Sequence, residues 1–360
     1  MWEQLFARMA EADDATIVDP RYDPKAEEDR MRSALAEAGW TSLEVEARIE
    51  LHRMQSSDAP VTSPGVAPHI ESIFGRLCDE IETAMDSLGL DSHARIARGV
   101  EPRVGAHAAM TNVILTDQGI VTVGSFTFRF CGLVARAFAR TLLLNPWIWE
   151  SENHSEATVR GLIRAAPNLS VYWLHIFVSY AITGTHFMVP YRPANRNEVL
   201  LFEQIARAME IFAIAHEYGH HHLAHGRQVE GDPKPEEFAA DQFALRIGYE
   251  IDRSSTEFPN PYLSSGAGGV VLLLALATLR KVSEMIAGTR SELSRTHPAA
   301  LERIARFDSV ALLKPSEFAV LKGFRIASAS VMASVDAEMA DIFHSLPHSL
   351  RRRLQEWSNR

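Results

Sequence analysis

Ala215–Gly226 reads AHEYGHHHLAHG, and within it His216-Glu217-Tyr218-Gly219-His220 sets two histidines four residues apart. On an α-helix that spacing puts both imidazoles on one face, where they can converge on one ion. Glu217, beside the first histidine, can then face a water at that ion and take its proton. Upstream, Val199, Leu200, Ile205, Met209, Phe212 and Ile214 mark a buried helix leading into the motif, with Gly226 as its expected stop.

A zinc site needs a third protein ligand and an open fourth position. A histidine ten residues after the first, with Gly at the seventh, would make a metzincin, but Leu223 and Gly226 stand there. Better candidates follow the Pro-rich turn Gly231-Asp232-Pro233-Lys234-Pro235, in Glu236-Glu237-Phe238-Ala239-Ala240-Asp241. Glu237 and Asp241 lie one helical turn apart, and Ala240, Ala244 and Gly248 form a small-residue face that allows close approach to the first helix. Glu237 can complete the ligand set with His216 and His220, while Asp241 can accept the free N–H of one of those histidines. Glu236 suits a helix N-terminus and is the next candidate ligand.

These segments resemble the zinc-binding pattern of the M48-type gluzincin metallopeptidases. A third segment, Thr296-His297-Pro298-Ala299-Ala300-Leu301-Glu302-Arg303-Ile304, resembles the later Thr/Ser-His-Pro-x-x-x-x-Arg-Ile of that family. The resemblance implies a zincin-like metallopeptidase core, one Zn²⁺ per chain, and active-site roles for His297 and Arg303 in binding substrate or transition state. Asn112–Gly124 is similar to the family's strand hairpin beside the metal helix. In the family that hairpin runs almost directly into the metal helix. Here about 90 residues intervene, including Trp147, Trp149 and Trp173, and they read as a lid, a substrate-selecting element or a partner surface.

Other histidines have ordinary explanations. His221 and His225 are also four apart but rotated off the His216/His220 face, and they read as a solvated or helix-end pair. His222 has no helical partner. His175 and His186 suit core or pocket polar positions, and His344 and His348 a surface.

The wider composition agrees with nitrogen-and-oxygen metal chemistry. The 360 residues include 15 histidines but only two cysteines, Cys78 and Cys131, too few for a disulfide framework or a thiolate site. Net charge is −10, and residues 1–50 carry −7 of it (13 acids, 6 bases), so no basic footprint for nucleic acid or an anionic membrane exists. The opening MWEQLFARMAEADD lacks a basic start and a long apolar run, which makes the cytoplasm the default location. Val270–Leu279 is too short to cross a bilayer. Leu169–Val189 is long enough but carries His175, Thr183, Thr185 and His186, so it reads as a core helix or strand pair.

The expected fold is α+β and mostly helical. Residues 1–54 form an acidic helical segment, and 55–68 a linker or exposed loop. Residues 69–310 form the catalytic region with the insertion at about 125–197, and 311–360 a C-terminal helical segment. Ile70, Ile73, Phe74, Leu77, Ile81, Met85 and Leu88 mark an amphipathic helix stopped by Gly89. Thr111–Val123 is the strongest strand signal, a hairpin turning at Asp117-Gln118-Gly119 whose exposed edge could take up a peptide backbone. The function this predicts is zinc-dependent hydrolysis of a protein or peptide, with Glu217 as general base. The alternatives are a regulatory or binding protein on a zincin scaffold, and a zinc hydrolase of a non-peptide bond.

Overall fold

The computed structural model describes residues 24–57, 66–90, 96–113, 118–146, 155–186, 193–224, 234–255, 259–288, 298–309 and 315–358. The fold begins with two helices, α1 (Pro24–Glu37) and α2 (Ser42–Ser57), which reverse direction at Gly39 in the left-handed conformation. Thr41 and Glu44 cap α2 reciprocally: the Thr41 hydroxyl accepts from Glu44 N–H, and the Glu44 carboxylate accepts from Thr41 N–H. Leu35, Ala38, Trp40, Val45 and Ile49 bury against Val199. The described part of the acidic segment is thus seated on Val199, seventeen residues before His216. Residues 55–57 belong to α2, and Val66 and Ala67 are buried, so the expected linker is shorter at both ends.

Helix α3 (Pro68–Ser87) buries Phe74, Leu77, Cys78, Ile81, Ala84 and Met85, and Gly89 at φ +66° follows its end. Three strands follow, β1 (Ile96–Glu101), β2 (Ala108–Asn112) and β3 (Gly119–Gly124), in the spatial order β1-β3-β2. The β2–β3 pair is the expected antiparallel hairpin, with Asn112 opposite Gly119. Strand β1 is a third member that the hairpin signal does not contain. It pairs parallel to β3 from Ile96–Gly119 to Glu101–Gly124, and Ile-Ala-Arg-Gly-Val-Glu has no alternation to announce it. Among the described residues β2 is an edge strand.

The described parts of the segment read as an insertion enter the core, while Trp147 and Trp149 lie outside the described residues. Helix α4 (Ser125–Leu143) starts directly after β3, and α5 (Glu156–Ala165) and α6 (Pro167–Thr183) follow. Phe130, Phe138, Trp173 and Phe177 have no solvent exposure, and Trp173 stacks on Phe177. These aromatics pack into the common core, while α5 buries only Val159 and Ile163 and keeps Glu156, Thr158 and Gly161 exposed. Proline at the start of α6 and Gly184 at φ +68° after it make it one helix rather than a strand pair. Among the described residues no helix is long and apolar enough to cross a membrane.

Helix α7 (Arg196–His222) carries the motif, and α8 (Lys234–Ser254) carries Glu237 and Asp241. Asn195 caps α7 by accepting from Glu198 N–H. The helix ends at His222, with Ala224 at φ +55°, earlier than the expected stop at Gly226, which lies outside the described residues. After the short α9 (Pro261–Ser264) comes α10 (Ala267–Ala287), which abuts α7 through two glycines. A Cβ on Gly268 would stand 2.5 Å from Ala208 Cβ, and one on Gly269 2.6 Å from the Phe212 ring. The chain finishes with α11 (Ala300–Ala305), α12 (Pro315–His344) and α13 (His348–Ser358). The last two send Val331, Met332, Val335, Met339, Phe343, Leu346 and Leu354 into the same core. The C-terminal segment is therefore part of the main body.

Candidate metal centre

His216 Nε2 and His220 Nε2 lie 3.0 Å apart with their rings at 84°. The Glu237 carboxylate stands 3.6 Å from each of these nitrogens, one oxygen to each. Donors about 2.1 Å from one ion at a tetrahedral angle are separated by about 3.4 Å, so this triangle has the dimensions of a zinc-type site. Among the described residues this is the single cluster of three metal-ligating side chains. Two imidazole nitrogens and a carboxylate are also a donor set that zinc accepts.

Three local features bring the donors together. The four-residue spacing on α7 sets the two imidazoles on one face. Phe212, one turn earlier, packs its ring along His216 at 6.4 Å between centroids. Gly219 lets α8 come close: a Cβ there would stand 3.1 Å from Ala240 Cα and 3.1 Å from Phe243 Cβ. Of the expected small-residue face, Ala240 makes this contact, whereas Gly248 meets Leu263 on α9.

Behind the ligands lies a buried polar chain. Asp241 Oδ1 is 3.0 Å from His216 Nδ1, and Arg303 Nε donates to Asp241 Oδ2 at 2.7 Å. With Nδ1–H donating to Asp241, Nε2 is the ring nitrogen turned toward Glu237 and His220. Arg303 Nη2 also approaches His216 Nδ1 at 3.3 Å, but two donors face each other there, so the contact is packing and not a hydrogen bond. Arg303 Nη1 lies 3.4 Å from Glu237 Oε2. Asp241 is pulled below the usual carboxylate range: burial acts to raise it, and the hydrogen bonds from Arg303 and His216 outweigh that. Burial likewise opposes charge on His216, but hydrogen bonds to Asp241 and Glu237 hold its pKa up at about 9. The field at the triangle favours a cation.

Glu217 points from the same helix turn into a cavity of about 590 Å³ that it shares with His216 and Glu237. Burial raises its carboxyl, while the His216 charge and a hydrogen bond from the backbone of Met110 on β2 act the other way. Strand β2 therefore reaches Glu217 itself, as the neighbouring Ala106, His107 and Ala108 reach the cavity wall. The opposite wall is α10, with Leu272, Leu273, Leu276 and Leu279.

The remaining expectations divide. Arg303 is at the site, buried and forked on Asp241, a placement behind the ligands rather than over the reacting position. His297 and His225 lie outside the described residues. His221 lies in the last turn of α7 but is 4% exposed and packs on the start of β3, where a Cβ on Gly119 would come within 2.5 Å of it, so it is a helix-end residue and not a solvated one. His222 tilts over Phe243 at 5.3 Å, and His344 and His348 are exposed. One connection was not legible beforehand. Tyr218, inside the motif, donates to Glu82 Oε1 at 2.8 Å, and Glu82 also pairs with Arg98, tying α7 to α3 and β1. The x positions of a His-Glu-x-x-His string give no sign of such partners.

A mostly helical α+β fold with a His-His-Glu cluster and a neighbouring glutamate on a cavity wall defines a candidate metallohydrolase centre. Residues 168–321 are similar to the family Peptidase U49, a match that runs from α6 to the start of α12 and includes both ligand helices. The match points to a peptidase family, and not to the M48 type in particular. No curated protein and no solved structure matches the chain.

Proposed function

We propose that the protein is a zinc-dependent endopeptidase of gluzincin type, with His216, His220 and Glu237 holding one Zn²⁺ and a protein or peptide as substrate. The observation that carries this reading is the triangle of 3.0, 3.6 and 3.6 Å beside Glu217 on the cavity wall. The similarity to a peptidase family over the same helices supports it. A zinc ion at such a site supplies a Lewis acid that acidifies water and polarises a carbonyl.

The chain's own groups then have distinct tasks. Glu217 takes the proton of the attacking water on its carboxylate and passes it to the leaving amine. Asp241 holds His216 in the tautomer that presents Nε2, and Arg303 holds Asp241. Arg303 is thus a positioning residue, a different role from the one the family resemblance implies. Ala106, His107 and Ala108, at the start of β2, line the cavity and are placed to offer backbone groups to an extended peptide.

The test is metal content together with cleavage-site mapping in a proteome. Wild type should bind about one zinc per chain and Glu237→Ala should not. Glu217→Gln should keep the metal and lose cleavage. Cleavage retained by Glu217→Gln would refute the assignment of the base, and full occupancy in Glu237→Ala would refute the third ligand.

A further inference from the structure

Helix α10 lines the cavity with two kinds of surface. Gly268 and Gly269 touch Ala208 and Phe212 one to two turns before His216, so Leu272 and Leu273 are the wall residues nearest the metal triangle. Further along the same face come Leu276 and Leu279, and then Arg280. Arg280 is half-buried, and among the described residues it makes no hydrogen bond or ion pair. Its neighbour Lys281 turns the other way and pairs with Asp336 at 2.7 Å. Arg303, the other arginine on the cavity, is committed to Asp241. One guanidinium is therefore left facing the cavity beyond an apolar wall.

The planar fork of a guanidinium fits a carboxylate with two parallel hydrogen bonds. Glu284, one turn further on and also on the cavity, adds a negative charge to that end of the wall. That disfavours a multiply charged anion such as a phosphate and leaves a single carboxylate as the matching ligand. From Leu273 to Arg280 is seven residues of helix, about 10 Å, which an extended peptide spans in about three residues.

We infer that Arg280 is a specificity residue that binds a carboxylate of the peptide about three residues from the scissile bond, beyond a stretch of apolar side chains held by Leu272, Leu273 and Leu276. The inference rests on the peptidase reading above. The carboxylate can belong to an acidic side chain or to the substrate's C-terminus, and the two are separable by experiment.

The probes are peptides with an apolar core and one Glu, Gln or Lys placed in turn two, three or four residues from the cleaved bond. Each is made as C-terminal acid and as amide. Two readouts are taken: kcat/KM with zinc-loaded protein, and fluorescence-anisotropy binding to the Glu217→Gln variant, which needs no turnover. Glu should exceed Gln by about tenfold at one position, and Arg280→Glu should invert the preference toward Lys. A preference for the free acid over the amide, lost in Arg280→Glu, supports the same anchor with a terminal carboxylate. An unchanged Glu-to-Gln ratio in Arg280→Glu, in both readouts, overturns the inference and leaves the peptidase reading intact. Charge-selective binding through Arg280 with no cleavage of any peptide does the reverse: it keeps the anchor and removes the peptidase reading. Absence of both cleavage and charge-selective binding overturns both.

Discussion

Arg303 holds Asp241 in a buried fork, Nε to Oδ2 at 2.7 Å, and the two residues come from helices 62 positions apart in the chain. Through Asp241 this grip reaches Nδ1 of His216. The His-His-Glu triangle therefore depends on a segment that contributes no ligand. Arg303→Ala should lower zinc affinity by about 10–100-fold, with all three ligands still present. Competition titration against a chromogenic chelator measures this. Arg303→Lys should recover little of the loss, since an ammonium cannot make the fork.

Gly219 sets the distance between the two ligand helices. A Cβ there would press on Ala240 and Phe243, both at 3.1 Å and both on a rigid helix. Gly219→Ala gains helix propensity but should still cost about 1–3 kcal/mol overall by overpacking. Urea unfolding of the metal-free chain would show this. Zinc affinity should fall as well, because Glu237 moves with α8.

Trp173 distinguishes a core from a lid. It has no solvent exposure, stacks on Phe177, and its indole N–H donates to Thr141 at 3.2 Å. Trp173→Ala should destabilise the whole chain by about 3–5 kcal/mol. If the segment were a lid, kcat would change and the unfolding midpoint would not.

Glu210 lies on the metal helix six residues before His216, and burial pushes its carboxyl up to about 8. The folded state therefore holds a proton that the unfolded chain releases near its ordinary value of 4.5. Between those two values the native state binds the extra proton, so stability declines as pH rises and levels off above about 8. Glu210→Gln should match wild type in Tm near pH 4.5 and exceed it near pH 9. An identical Tm difference at both pH values would refute this account.

The helix-borne part of the site was readable before any coordinates. His216, Glu217 and His220 follow from a four-residue spacing on a helix, and Glu237 with Asp241 from the same rule one helix later. The helix Pro68–Ser87 and the β2–β3 hairpin also follow from their periods, 3.6 and 2. Local periodicity records which face is buried, and those elements bury faces in a regular way.

What only the tertiary structure decided has a common cause: contacts between residues distant in sequence leave no local pattern. Helices α4 and α6 looked inserted because the family's hairpin runs almost directly into the metal helix, and nothing in so apolar a sequence says which neighbours cover it. β1 exists through its parallel partner β3, the Tyr218–Glu82 bond spans 136 positions, and Arg303 was drawn behind the ligands by Asp241. The sequence by itself determined the composition of the His-His-Glu triangle proposed to hold a metal and the helices that carry it. The fold decided how closely those helices meet, which arginine holds the site together, and which one is left facing the cavity.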